Sequence, residues 1–312
     1  MMISAVTLNP CVDRTLFLHG LDVGGHNVAE RVQNDVSGKG INVNVVLSNL
    51  NIPTKAVGFE FDHNGPILSN FLRQHGIPFD KFCVDAELRV NTKIFDAQNA
   101  AMTEINCKGP TLSPEISRQM LKIFEASLED TDLLVIDGSI PPGIPRDIYK
   151  TMTELAHTHG IPVVLDATGE LLEKALKAKP ELVKPNRGEL ELLLGRTLET
   201  RQECVLACRE LIARGVGAVC LSLGGEGALY VNGDSVWFSP GLDIQVKSFQ
   251  GAGDSIVAGI CLGMLADYPP EELLRSGVAA AHGSLLQDGT RLCTYEDYLR
   301  LLPQIPVVQL TD

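Results

Sequence analysis

The segment Gly251-Ala252-Gly253-Asp254 holds the residues best suited to chemistry, because three small residues and a carboxylate open a long apolar stretch. Small residues at a helix start leave backbone N–H groups exposed, and the helix dipole adds positive potential there. Asp254 stands beside these groups and can accept a proton from an attacking hydroxyl group. The segment therefore predicts an anion hole with a general base next to it. Taken alone, it also fits a capped helix start whose glycines serve close packing.

A second polar group follows the apolar residues Leu182 and Val183, where Lys184 ends a predicted strand and a helix begins near Asn186. Asn186 and Glu189 are three residues apart on the first helical turn, so their side chains face the same way. Their oxygens can hold Mg²⁺ directly or through its water molecules. The same pair also fits a helix cap, in which Asn186 caps the helix and Glu189 bonds back to it. The sequence leaves both interpretations open.

Glycine-bearing turns follow other predicted strands as well. Residues 222–228 suit a loop that passes close to a nucleotide, and a plain hairpin turn explains them equally well. Residues 137–143 end another strand, at the sheet edge where α/β proteins bind ligands. Gly38-Lys39-Gly40 adds a lysine, but the flanking glycine and the Ser or Thr of a Walker A loop are missing. Several such turns, together with a cationic loop and one candidate base, favour a site for anionic ligands.

Short apolar runs alternate with helix-length amphipathic segments over most of the chain. One such segment, 114–128, places Met120, Phe124 and Leu128 on a single helical face. The alternation predicts a doubly wound, parallel α/β sheet with helices on both faces, formed by one continuous domain. The strand candidates are 4–8, 55–59, 133–137, 162–166, 182–184 and 219–223.

Two insertions, at about 11–36 and 87–107, break this alternation. They contain β-like pieces without crossover helices, at 14–18, 29–33, 89–95 and 101–106. The pieces predict a small antiparallel sheet appended to the α/β core. We interpret this sheet as a lid over the site; a second sheet layer on the core is the alternative.

Composition restricts the partners of the protein. The chain has 312 residues and a formal net charge of −13, which repels nucleic-acid phosphates and anionic lipid. We therefore expect small-molecule ligands and neither a nucleic-acid nor a membrane partner. The longest apolar stretch, 256–266, is too short to span a bilayer, and no basic residue precedes the apolar N-terminus. These features predict a cytoplasmic protein.

Five motifs of the chain resemble those of the PfkB-type sugar kinases, which have the ribokinase-like fold, and they occur in the same order and at similar spacing. The resemblance covers the whole chain. The motifs are Asn9-Pro10-Cys11-Val12-Asp13, Ser37-Gly38-Lys39-Gly40-Ile41-Asn42-Val43, Gly138-Ser139-Ile140-Pro141-Pro142-Gly143, Val183-Lys184-Pro185-Asn186 and Gly251-Ala252-Gly253-Asp254-Ser255.

The resemblance implies transfer of a phosphoryl group from MgATP to a sugar hydroxyl. It makes Asp254 the catalytic base and Gly251, Ala252 and Gly253 the anion hole. It implies that one set of residues binds the sugar and its own phosphate: Asp13, Gly38, Lys39, Asn42, Arg89 and Ser139. It assigns a second set to the nucleotide and, for Glu189, to magnesium: Lys184, Asn186, Ser222, Gly224, Gly227 and Glu189. In relatives the lid also pairs two subunits, which implies a homodimer.

The substrate that the resemblance favours is a ketohexose phosphate. Lys39 between two glycines, and the segment Arg89-Val90-Asn91-Thr92-Lys93-Ile94, are most similar to 1-phosphofructokinases. Tagatose-6-phosphate kinases share the lysine, and the segment 289–293 is similar to the minor 6-phosphofructokinases. Fructose 1-phosphate is therefore the expected substrate, with tagatose 6-phosphate and fructose 6-phosphate as alternatives. A sugar-phosphate-binding regulator with weak or no turnover is the alternative of another class.

Overall fold

The computed structural model describes residues 1–289 and 291–311, so Thr290, within the segment 289–293 considered above, lies outside the described residues. The strands, in chain order, are β1 (Ile3–Thr7), β2 (Cys11–Leu18), β3 (Arg31–Ser37), β4 (Thr54–Phe61), β5 (Phe79–Val84), β6 (Val90–Asp96), β7 (Ala101–Ile105), β8 (Leu133–Asp137), β9 (Val163–Asp166), β10 (Leu182–Val183), β11 (Ala218–Ser222), β12 (Ala228–Asn232), β13 (Val236–Ser239) and β14 (Val308–Gln309).

The helices lie between these strands and cover both faces of the large sheet. They are α1 (Lys39–Asn49), α2 (Ile67–Gln74), α3 (Pro114–Ser127), α4 (Ile148–Thr158), α5 (Gly169–Ala175), α6 (Arg187–Leu194), α7 (Arg201–Ala213), α8 (Ala252–Leu265), α9 (Pro270–Leu285) and α10 (Tyr295–Leu301). Two separate apolar cores result, with α3 to α7 on one face and α1, α2, α8, α9 and α10 on the other. None of the helices in the described parts of the chain is long and apolar enough to cross a membrane.

The large sheet has ten strands in the order β14, β13, β12, β11, β10, β9, β8, β1, β4, β5. The seven strands from β11 to β5 in this order are parallel, which confirms the predicted α/β class with helices on both faces. The expectation of a wholly parallel sheet is wrong for β12, β13 and β14, which pair antiparallel. The short turn at 223–227 leaves no room for a crossover helix, so the chain must reverse there as a hairpin.

A second, four-stranded sheet contains the β pieces of the two insertions, in the order β3, β2, β6, β7. We call it the small sheet. Its outer pairs are antiparallel, as predicted, but β2 and β6 are parallel, which the sequence did not predict. The reason lies in the connections: β2 continues from β1 and β6 follows β5, and those two strands already point the same way.

Close contact between α8 and α9 fixes the start of α8. Both helices have a glycine at the contact, and a Cβ atom on Gly259 would lie 2.5 Å from the carbonyl oxygen of Ser276. A Cβ atom on Gly277 would lie 3.0 Å from a side-chain carbon of Ile260. Small residues therefore let the two backbones approach, and this approach sets the position of Asp254 on the first turn of α8.

We expect Gly259→Ala to lower the free energy of unfolding by ~1–3 kcal/mol, the usual cost of overpacking a core. An alanine normally stabilises a helix by ~0.5–1 kcal/mol relative to glycine. A loss of stability would therefore show that the added methyl group clashes at the contact between α8 and α9. Gly188→Ala, in α6, is the control, because its Cβ would meet only Asn186 Oδ1 at 3.5 Å. Urea unfolding measures both; equal stability of the two variants would contradict the role given to the α8–α9 contact.

Candidate active site

Charged side chains end three neighbouring parallel strands of the large sheet. Asp137 ends β8 and Asp166 ends β9, and the two residues are partners in the strand register. Lys184 follows β10 directly, and its backbone N–H donates to the carbonyl oxygen of Leu165 at 3.1 Å. The carboxyl ends of parallel strands thus bring two carboxylates and one ammonium group to one point at the sheet edge.

Asp166 lies between two lysines. Its Oδ1 accepts a hydrogen bond from Lys39 Nζ at 2.9 Å, and its Oδ2 lies 3.0 Å from Lys184 Nζ. Burial favours the neutral form of the Asp166 carboxyl, but the charges of Lys184 and Lys39 outweigh burial and lower its pKa. The pKa of Lys184 is raised: burial would lower it, and the Asp166 charge more than compensates. The three groups are therefore charged at neutral pH.

Asp254 lies on the first turn of α8, next to this cluster, and is buried. Asn42, from the first turns of α1, donates a hydrogen bond through Nδ2 to Asp254 Oδ2 at 2.7 Å. Burial raises the pKa of Asp254, and the charge of Lys39 and the Asn42 hydrogen bond oppose that rise. A carboxylate whose affinity for a proton is raised, and which has an amide holding one oxygen, is suited to general-base work.

The N-terminus of α8 is the predicted anion hole. Gly251 precedes the helix with a φ of 71°, a left-handed conformation that glycine adopts without strain. A Cβ atom there would lie 2.3 Å from a methyl carbon of Leu292, so a larger residue would require this side chain to move. Ala252 and Gly253 then begin the helix with their N–H groups free of intrahelical partners. The backbone thus presents donors beside Asp254.

A cavity of about 260 Å³ separates the small sheet from the start of α8. Of the residues predicted to bind the sugar or catalyse the reaction, Asp13, Gly38, Lys39, Asn42, Arg89, Gly251 and Asp254 line it. Ser139 does not line it; its hydroxyl accepts a hydrogen bond from Asn9 Nδ2 at 3.0 Å. The structure therefore brings most of the predicted residues together around one polar space.

Asp13 and Arg89 contribute different charges to this cavity. Lys93 Nζ, from β6, lies 2.9 Å from Asp13 Oδ2, and Asn91 Nδ2 donates to Asp13 Oδ1 at 2.9 Å. Burial alone would raise the pKa of Asp13, but the hydrogen bond and charge of Lys93 lower it. The guanidinium group of Arg89 donates only to backbone carbonyl oxygens, those of Asn9, Pro10 and Cys107. It has no acidic partner among the described residues, so its charge remains available to an anion.

The residues predicted to bind the nucleotide meet at the ends of β10 and β11. Asn186 and Ser222 form an isolated parallel bridge. Gly224 and Gly227 have φ values of 62° and 104° in the turn that follows Ser222. A Cβ atom on Gly253 would lie 3.4 Å from Lys184 Nζ, which places this lysine beside the anion hole.

Asn186 and Glu189 form the helix cap that was one of the two sequence interpretations. Asn186 Oδ1 accepts from the Glu189 N–H at 2.9 Å, and Glu189 Oε2 accepts from the Asn186 N–H at 2.8 Å. The cap uses Oε2 of Glu189, which leaves Oε1 for a magnesium-bound water. Capping and metal binding are therefore compatible at this position.

Sequence reasoning missed Asp166, Asn91 and Lys93. Asp166 ends an apolar strand with a charged residue, as Lys184 does, so strand-end polarity was a usable signal. Asn91 and Lys93 are two residues apart, so they lie on the same face of β6. Asn91 is the register partner of Asp13 on β2. Their contact depends on the parallel pairing of β2 with β6, which the sequence did not predict.

Comparisons with known proteins agree with this geometry. The family model for pfkB family carbohydrate kinases matches residues 6–297. The 1-phosphofructokinase of Bacillus subtilis is 36% identical over 309 residues, covering 99% of this chain and 100% of its own length. That of Escherichia coli K12 is 31% identical and covers 89% of both chains. Phosphofructokinase-2 from Escherichia coli, in complex with substrates and products, superposes with a TM-score of 0.90 at 27% identity, covering 98% of this chain and 99% of that one.

The fold and the family match together place the chain in the class of carbohydrate kinases, and the sheet-edge site is consistent with that class. The chain belongs to the pfkB family and is an ATP-dependent sugar-phosphate kinase. The kinase interpretation of the sequence is thereby confirmed.

The hydrogen bond from Asn42 to Asp254 leads to a prediction about pH. A base acts only when deprotonated, so kcat/KM falls as the pH drops through the Asp254 pKa, which burial raises above its ordinary value. Asn42→Ala removes a contact that favours the charged form, so the acidic limb should move to higher pH. Asn49→Ala, in the same helix, is the control, since Asn49 donates to the carbonyl oxygen of Cys293 instead. An unchanged limb in Asn42→Ala would show that the hydrogen bond does not act on the base.

Proposed function

We propose that this kinase phosphorylates a ketohexose phosphate, with fructose 1-phosphate converted to fructose 1,6-bisphosphate. The observation that carries the proposal is the buried carboxylate of Asp254, which lies at the start of α8 and lines a cavity that also contains Lys39, Arg89 and Lys93. A base near an anion hole suits phosphoryl transfer to a hydroxyl group, and the cations suit an acceptor that already carries a phosphate. The name 1-phosphofructokinase of the Bacillus subtilis relative supports the same substrate.

In the proposed reaction, Asp254 accepts the proton of the sugar 6-hydroxyl group while that oxygen attacks the γ-phosphorus of ATP. A new P–O bond forms to the sugar, the bond from the γ-phosphorus to the bridging oxygen breaks, and ADP leaves. The N–H groups around Gly251, Ala252 and Gly253 stabilise the charge on the transferred group. Such preorganised donors cost no reorganisation during the reaction.

We propose that Arg89 binds the phosphate that the sugar brings with it. Its guanidinium group is fixed by three backbone carbonyl groups, so little side-chain entropy is lost when the phosphate binds. Lys39 lines the same cavity and adds to its positive charge. Asp13, held by Lys93, and Asn42 would bind ring hydroxyls, with Gly38 close to the same ligand.

The nucleotide would lie across the ends of β10 and β11, against Lys184, Asn186, Ser222, Gly224 and Gly227. We propose Mg²⁺ as its partner ion, with Glu189 Oε1 taking a magnesium-bound water. Bound Mg²⁺ supplies charge neutralisation to the phosphate groups of ATP. The single bridge between Asn186 and Ser222 supports a continuous nucleotide surface over the two strands.

We propose a single catalytic domain whose lid is the small sheet, acting as a homodimer in the cytoplasm. Val32 and Ile105 on the small sheet are 52% and 53% exposed, which supports a partner surface there. No nucleic-acid or membrane partner is proposed, in keeping with the net charge of −13.

Substitution of the base tests the proposed chemistry. We expect Asp254→Asn to lower kcat by ~10²–10⁴-fold, the usual contribution of a positioned base, while the KM values for ATP and the sugar phosphate stay close to those of the wild type. An ADP-release assay measures the rates, and thermal unfolding checks the fold. Near-normal kcat in a folded Asp254→Asn enzyme would remove Asp254 from the mechanism.

The choice of sugar is tested by kcat/KM on fructose 1-phosphate, tagatose 6-phosphate and fructose 6-phosphate. A ketohexose 6-phosphate must enter reversed, with its 1-hydroxyl at the base, so ring-hydroxyl contacts decide between the sugars. Mispairing one buried polar group costs ~1–3 kcal/mol, or about one to two decades of kcat/KM. We expect fructose 1-phosphate to lead by that margin; a 6-phosphate ahead by about a decade would overturn this assignment and leave the kinase class unchanged.

A further inference from the structure

The contact between Asp166 and the two lysines is not explained by the proposed roles of its neighbours. Lys39 begins α1 and Lys184 follows β10, yet both ammonium groups meet one carboxylate, at 2.9 and 3.0 Å. Asp166 and Lys184 are almost fully buried, whereas 36% of the Lys39 side chain is exposed to the cavity. Burying three charges in one place is costly, because each group loses its hydration. We therefore expect a functional reason for this arrangement.

The two ammonium groups adjoin different parts of the site. Lys184 Nζ would be 3.4 Å from a Cβ atom on Gly253, on the side of the nucleotide residues. Lys39 lines the sugar cavity together with Asp254, whose charge helps to raise the Lys39 pKa. A phosphoryl group that moves from the nucleotide to the sugar must pass between these two positions.

The charges of the cluster do not cancel within it. Lys39, Asp166 and Lys184 together carry one net positive charge when all three are ionised. The nearest further carboxyl is Asp137, at 4.0 Å from Lys39 Nζ. Neither Asp137 oxygen has a hydrogen-bond partner in residues 1–289 and 291–311, and burial raises the pKa of this residue. Burial therefore favours the neutral form of Asp137. The remaining positive charge faces Asp254, and it becomes available to a bound anion when Asp254 takes up the proton of the substrate.

A metal ion is the other explanation to consider for this cluster. Asp137, Asp166 and Asp254 each offer a carboxylate oxygen, and these oxygens lie within 4.8 Å of one another. Two lysine ammonium groups occupy the same space, however, and a divalent cation beside them would meet like charge on both sides. The two lysines, and not a metal ion, therefore compensate the charge of Asp166.

We propose that Asp166 is a positioning residue that holds Lys39 and Lys184 on the two sides of the phosphoryl group during its transfer. The inference rests on the proposed function, since it needs Asp254 and the anion hole as the place of transfer. It gives Lys39 a role different from the one predicted by resemblance: its ammonium group meets the transferred group, and Arg89 binds the phosphate already on the sugar. No bond to Asp166 forms or breaks; it acts only through the two cations.

Two matched variants test the proposal, Asp166→Asn and Asp137→Asn, which make the same change at register partners on neighbouring strands. Losing one electrostatic contact to a transition state typically costs ~10²–10³ in kcat. We expect Asp166→Asn to lose kcat by that factor, with the KM for the sugar phosphate changed by less than ~3-fold, because the interaction is made in the transition state. Asp137→Asn should keep kcat within ~5-fold of the wild type, because an amide replaces a neutral carboxyl.

If Asp166→Asn fails to fold, Lys39→Met tests the proposal instead. Lys39 is partly exposed, so its replacement is easier for the fold to tolerate. The proposal predicts a fall in kcat with a nearly constant KM for the sugar phosphate. A raised KM with unchanged kcat would return Lys39 to the sugar's own phosphate and overturn the proposal. Equal losses in Asp166→Asn and Asp137→Asn would overturn it too, because they would indicate a shared metal ion. All rates are measured with the best of the three sugar phosphates, so a failure of this proposal can be told apart from a failure of the sugar assignment and from a failure of the role given to Asp254.

Discussion

The site depends on one electrostatic constraint: the charged groups buried at the carboxyl ends of β9 and β10 and at the start of α1 must compensate one another. An isolated buried carboxylate would take up a proton, because no nearby charge would compensate the free energy of removing it from water. Asp166 stays ionised only because Lys39 and Lys184 reach it from two different elements. The positions of the start of α1 and the end of β10 are therefore linked through a single carboxylate.

The scaffold meets this constraint by rigid packing. Parallel strands bring their ends to a common edge, and the two apolar cores hold helices against both faces of the sheet. Gly259 and Gly277 allow α8 to approach α9 closely, and this approach sets the height of Asp254 relative to the strand ends. Polar groups then lie in fixed positions before any ligand binds, which is the arrangement that transition-state stabilisation requires. The small sheet adds the remaining wall of the cavity with Asp13, Asn91 and Lys93.

Much of the fold could be predicted because its signals are local. The apolar runs placed β8 at its observed bounds, Leu133–Asp137, and the other five predicted core strands within two residues at each end. The parallel pairing of β2 with β6 was missed because it depends on how distant segments enter a sheet. The antiparallel strands β12 and β13 were missed although the short turn at 223–227 is a local signal for a hairpin. The motifs correctly placed Gly251 to Asp254 at the start of α8 and predicted the cap at Asn186. They could not predict the contact of Lys93 with Asp13 or of Lys39 with Asp166, since these join residues 80 and 127 positions apart.

The central claim is that the buried carboxyl groups of Asp137, Asp166 and Asp254 differ in their protonation. Carbon-13 NMR of aspartate-labelled protein measures this protonation directly. The carboxyl carbons are assigned by comparing spectra of the Asp137→Asn, Asp166→Asn and Asp254→Asn variants with that of the wild type, over a pH titration. The account predicts that Asp166 keeps the chemical shift of an ionised carboxylate to lower pH than exposed aspartates do. It also predicts that Asp254 gains its proton at higher pH than they do, and that Asp137 is protonated at neutral pH. An ionised Asp137 together with a neutral Asp166 at neutral pH would contradict the account.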